Sequence, residues 1–183
     1  MRWSLSLLLC LAGPAVAGDV AYRFQWEGAG GYSLRGVMSF DEGLLGADVV
    51  REGDLQCFAI EGYEGKKPIG RWALGMLTEE TSWTVTFLPG ASQFVVFSEA
   101  AQMPQAWNMN GFGEDCGSPG FGFNIGNQAQ DLCLNGEWVW ESQVPPSRPF
   151  PALRDVERVE IATGEAVRLR AHIRTPNGVK VLE

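Results

Sequence analysis

After residue 18, apolar side chains recur at every second position in one short run after another, and the three-to-four spacing of an amphipathic helix does not appear. A strand turns successive side chains to opposite faces, so a chain patterned this way folds by stacking half-covered sheets. Over 21–26 the rings of Tyr22, Phe24 and Trp26 share one face, with Arg23 and Gln25 on the other. Over 32–40, Tyr32, Leu34, Gly36, Met38 and Phe40 alternate with Ser33, Arg35 and Ser39, and Asp41-Glu42-Gly43 then turns the chain. Residues 55–63 are apolar in both phases, at Leu55, Cys57 and Ala59 and at Phe58 and Ile60, which predicts a strand covered on both faces and central in its sheet. Runs at 71–77, 82–88, 93–98, 132–134 and 137–142 repeat the device. Thr78-Glu79-Glu80-Thr81 reads as a hairpin loop between the first two of these, and Pro89-Gly90 and Asn135-Gly136 read as turns.

Short strands at spacings of roughly 8 to 15 residues, joined by glycine turns, predict an all-β fold of two packed antiparallel sheets. A jelly-roll-like β-sandwich leads, and a small β-barrel is the alternative that periodicity does not separate from it. The alternation fails over 99–131, where Gly, Asn and Pro accumulate. This stretch reads as a long irregular connection, of a kind that is functional or pinned by a cross-link when it occurs in a compact domain.

The two ends read differently from the body. Arg2, the apolar residues from Leu5 to Ala12, the break at Gly13-Pro14 and the small-x-small Ala15-Val16-Ala17 form a signal peptide pattern with cleavage expected after Ala17. The apolar stretch falls short of the roughly 20 residues that span a bilayer, so a secreted or periplasmic product without stable membrane insertion is expected. The proline-rich residues 144–151 read as extended chain that separates a body, 18–147, from a tail, 148–183. The body carries 6 basic and 17 acidic residues and the tail 7 and 5, so a C-terminal hairpin docked on the acidic body and a loosely attached tail are both readings. The whole chain has 14 basic and 22 acidic residues, a net charge of −8 that opposes binding to nucleic acid.

Three cysteines follow the leader. Cys116 and Cys133 bracket the glycine-rich stretch and are the expected disulfide, which leaves Cys57 as a buried thiol in an apolar strand. No Cys-x-x-Cys occurs and the sole histidine, His172, lies in the tail, so zinc is excluded. Calcium has oxygen donors available in Asn108, Asn110, Glu114, Asp115 and Asp131, set against the plainer reading that these side chains cap turns.

Catalytic patterns are missing: there is no nucleophile elbow, phosphate loop or dinucleotide fingerprint. Glu61, Glu64, Asp131, Glu137 and Glu141 lie near strand ends and would be the carboxylates of a glycoside hydrolase, with solvated surface positions as the ordinary alternative. Tryptophan is more informative. Trp107, among Asn108 and Asn110, is the ring expected to be exposed, and Trp138 and Trp140 share one strand face with core packing as their expected role. Flat aromatic surface beside amides and carboxylates is how a β-sandwich holds a sugar. The expectation is therefore a non-catalytic module that binds a carbohydrate or another envelope component. Trp107, Asn108, Asn110, Trp138 and Trp140 are its candidate contacts, and a structural role in envelope assembly is the alternative.

The stretch Tyr32-Ser33-Leu34-Arg35-Gly36-Val37-Met38-Ser39-Phe40-Asp41, followed by Asp54-Leu55, resembles the N-terminal part of secreted bacterial proteins sorted by the PEP-CTERM system. Gly122-Phe123-Asn124 and Asp131-Leu132-Cys133-Leu134-Asn135-Gly136 share the likeness, which covers residues 20–145. It implies an exported β-rich envelope or extracellular protein and supplies no catalytic residues. Val144-Pro145-Pro146 is not followed by the apolar helix and basic end of that sorting signal, so the resemblance does not extend to membrane processing.

Overall fold

A computed structural model describes residues 8–9, 18–79, 82–108, 116–155 and 162–163. Its strands are β1 (Leu8–Leu9), β2 (Asp19–Glu27), β3 (Tyr32–Asp41), β4 (Val50–Arg51), β5 (Leu55–Glu64), β6 (Lys67–Ala73), β7 (Ser82–Thr84) and β8 (Thr86–Leu88). They continue as β9 (Gln93–Phe94), β10 (Gln105–Asn108), β11 (Phe121–Ile125), β12 (Gln130–Leu134), β13 (Glu137–Val144), β14 (Phe150–Asp155) and β15 (Ala162–Thr163). All pairings are antiparallel. One sheet has eight strands in the order β4-β8-β9-β14-β2-β3-β5-β6, a second has five in the order β13-β12-β11-β10-β7, and β1 pairs with β15 alone.

The two large sheets pack face to face, as the alternation predicts, and one of them curls into half a barrel. Tyr22, Phe24 and Trp26 of β2 point inward beside Leu34, Met38 and Phe40 of β3 and Phe58 and Ile60 of β5. Trp107, Phe121, Phe123 and Ile125 face them from the five-stranded sheet. The core is held by rings at tilted and edge-on angles: Trp107 lies 5.0 Å from Phe58, 5.3 Å from Phe94 and 4.9 Å from Phe123. Phe121 reaches across to the larger sheet. Its ring enters a slot where Gly62 and Gly70 oppose each other, and a Cβ at either glycine would sit 2.5 Å from the ring.

Several sequence expectations are corrected. The stretch 99–131 is no structureless connection, because it contains β10 and β11 and the start of β12. The inward side of β10 is Gln105 followed by Trp107, and a buried polar side chain erased the apolar period. Gln105 Nε2 donates to the carbonyls of Thr86 (2.7 Å) and Val95 (2.9 Å), while Thr86 N donates to Gln105 Oε1 (3.1 Å). Gln130 of β12 does similar work, accepting from Trp26 Nε1 (2.8 Å) and donating to the Arg148 carbonyl (2.6 Å).

The boundary expected after Ser147 falls inside the sandwich. Phe150–Asp155 is a strand of the larger sheet, paired first with β9 and then with β2, and Phe150 and Ala152 are buried. Pro151 is tolerated where the strand changes partner. The remainder of the expected tail, apart from Ala162–Thr163, and the expected leader, apart from Leu8–Leu9, lie outside the described residues. The expected hairpin around 78–81 is instead a crossover: β6 belongs to the larger sheet and β7 to the smaller, with Trp72 and Trp83 meeting at 5.3 Å. β5 is next to an edge strand rather than central, although both its faces are covered. Cys57, expected to be buried, is half-buried beside Val37, Ala59 and Ala73.

Candidate functional site

The outer face of the five-stranded sheet ends at β13, and there the two tryptophans expected in the core are exposed. Trp138 is 39% and Trp140 60% exposed, whereas Trp26, Trp72 and Trp107 are buried. Their ring centroids are 5.4 Å apart and their planes meet at 65°, which makes an aromatic corner rather than a flat shelf. The Asn135-Gly136 turn sets this orientation. Both residues take positive φ (53° and 82°), as a tight two-residue hairpin requires, and the register that follows puts Val139 opposite Leu132 and Trp138 opposite Cys133. Leu132 faces the core, so Val139 does too, and the tryptophans face out.

Beyond Trp140 the ladder is interrupted. Pairing passes from Leu132↔Val139 to Gln130↔Val144, so β13 carries extra residues. Ser142 closes the gap: its Oγ accepts from Leu132 N (3.0 Å) and donates to the Val139 carbonyl (2.7 Å). Gln143 Nε2 then donates to Asp131 Oδ2 (3.2 Å). Asp131 is only 8% exposed, and burial pushes its pKa up from 3.8 to about 6 against the opposing effect of the Gln143 hydrogen bond. Directly across the ladder stands Asn124, 9% exposed, whose buried Oδ1 receives no hydrogen bond.

The expected disulfide is present. Cys116 and Cys133 are joined with a Cα separation of 6.0 Å, and both are buried. It clips the chain around residue 116 onto the outward side of β12, where Asn135 and Gly120 also exchange hydrogen bonds. The long glycine-rich stretch is therefore pinned at the β12–β13 hairpin.

The other candidate residues scatter. Trp107 is fully buried, which removes it as a ligand contact. Asn108 ends β10 opposite Gly122, while Asn110, Glu114, Asp115 and His172 lie outside the described residues. No group of three or more His, Cys, Asp or Glu among the described residues is placed to hold a metal. Glu61 and Glu64 are on β5 of the larger sheet, and Asp131, Glu137 and Glu141 are on the smaller. Glu61 is buried and accepts from the Tyr63 hydroxyl, and desolvation together with that carboxylate pushes Tyr63 up to about 12. Glu64 and Glu141 converge from different sheets on Tyr32, whose pKa is raised by desolvation and then by both carboxylates. Sequence spacing held no signal for that meeting, because the two residues are brought together only by sheet packing.

Neither a known protein family, nor a curated protein, nor a solved structure matches the chain. No helix among the described residues is long and apolar enough to cross a membrane.

Proposed function

We infer that the protein is an exported binding module that holds a saccharide at the Trp138–Trp140 corner. The observation that carries this reading is the exposure of two adjacent tryptophans in a chain that otherwise buries its described indoles, except for the half-buried Trp83. Leaving such rings partly in water forgoes a share of the about 1.5–3 kcal/mol that full burial of a large apolar side chain supplies. The C–H faces of a pyranose cover indole well. Export is supported by the disulfide, which persists in oxidising compartments, and by the leader pattern at residues 1–17.

The test is a tryptophan fluorescence titration of the folded protein with a panel of soluble oligosaccharides. At least one member should give a saturable change, and Trp138→Ala and Trp140→Ala should each abolish it. A flat response across the panel, or a response that survives both replacements, refutes the reading. The assembly alternative rests on the position of β13 as the outermost strand of its sheet. It predicts concentration-dependent association by light scattering that Trp140→Ala removes.

A further inference from the structure

We propose that Asn124 and Asp131 form the protein half of a site for a hard divalent cation, with calcium as its occupant, on the covered outer face of the five-stranded sheet. The two residues are directly opposed across β11 and β12, so their side chains leave the sheet on one face with Cβ atoms about 5 Å apart. Each is more than nine-tenths buried. Asn124 Oδ1 receives no donor, and the Asp131 carboxylate receives one neutral amide, from Gln143. Among the described residues no positive charge approaches that carboxylate.

Two buried acceptors thus share a spot with too few donors. Buried polar groups in native proteins are almost always satisfied, so an electropositive partner is called for. A carboxylate with an amide oxygen is the donor set that calcium prefers, and water completes such a shell. Soft metals want thiolate or imidazole, and the neighbouring Cys133 is committed to its disulfide. The site shares a sheet face with the tryptophan corner but does not depend on saccharide binding.

Terbium, which occupies calcium sites and emits when a nearby tryptophan is excited, is the probe. Trp138 stands opposite Cys133, two residues along β12 from Asp131, and serves as the sensitiser. Titrating the full chain with terbium under tryptophan excitation should give saturable emission that excess calcium displaces. Asp131→Asn and Asn124→Ala should each weaken the apparent affinity at least tenfold. Asn124→Asp, which adds a second carboxylate, should tighten it, a gain that misfolding does not mimic. The double replacement Glu137→Gln with Glu141→Gln, which alters only surface carboxylates on β13, should leave the affinity unchanged. Emission that fails to saturate, that persists in Asp131→Asn, that weakens in Asn124→Asp, or that is lost with the β13 carboxylates overturns the proposal. No saccharide is present in this assay, so its failure leaves the sugar reading intact and the reverse also holds.

Discussion

Replacing Asp131 by Asn should stabilise the cation-free protein at neutral pH and do nothing for it in acid. Burial raises the folded-state pKa from 3.8 to about 6, so between those values the folded protein holds a proton that the unfolded chain has already released. Below pH 3.8 both states are protonated and the carboxyl costs nothing; as pH rises toward 6 stability is lost; above about 6 both states are ionised and the full cost remains. At about 1.36 kcal/mol per pH unit the ceiling is about 3 kcal/mol. The Asn amide that replaces the carboxylate is itself a buried polar group that must be satisfied, which reduces the expected gain to about 1–2 kcal/mol. The Gln143 contact survives the substitution, because Asn keeps an acceptor oxygen, and its new amide can donate toward Asn124 Oδ1. The assay is urea unfolding of both proteins at several pH values from 3.5 to about 7.5, in chelator so that no cation masks the charge. A difference of the same size at every pH, or a variant less stable than the parent at pH 7, would refute the argument.

Two further outcomes test the framework that positions the site. Gly70→Ala should lower stability by about 1–3 kcal/mol in urea unfolding, because its Cβ would lie 2.5 Å from the Phe121 ring in a slot with rigid walls; pairing it with Phe121→Leu should recover part of the loss. Replacing Cys116 and Cys133 together by Ser should cost about 3 kcal/mol by reopening the loop they close, and thermal unfolding of the oxidised parent against the double variant reads it directly.

Much of this protein is written in its alternation. Period two by itself determined an all-β chain, the inward triplet Tyr22, Phe24 and Trp26, and the turn at Asn135-Gly136, since each depends on neighbours in sequence. The disulfide was legible too, because cysteines at either end of a glycine-rich stretch have few alternatives in one chain. What alternation does not carry is absolute sense: it shows that Trp138 and Trp140 share a face, but only the register against Leu132 turned that face to water. It also fails where an inward position is polar. Gln105 and Gln130 satisfy carbonyls and an indole that belong to distant segments, so the strands bearing them look irregular in sequence, and Trp107 reads as a loop residue although it lies in the middle of the core. The meeting of Asn124 with Asp131, the crossover between β6 and β7 and the capture of Phe150 by the larger sheet are likewise decisions of the tertiary structure. Each is a pairing between segments whose contact energy appears only once the sheets are stacked, and no local pattern of side chains encodes which stack forms.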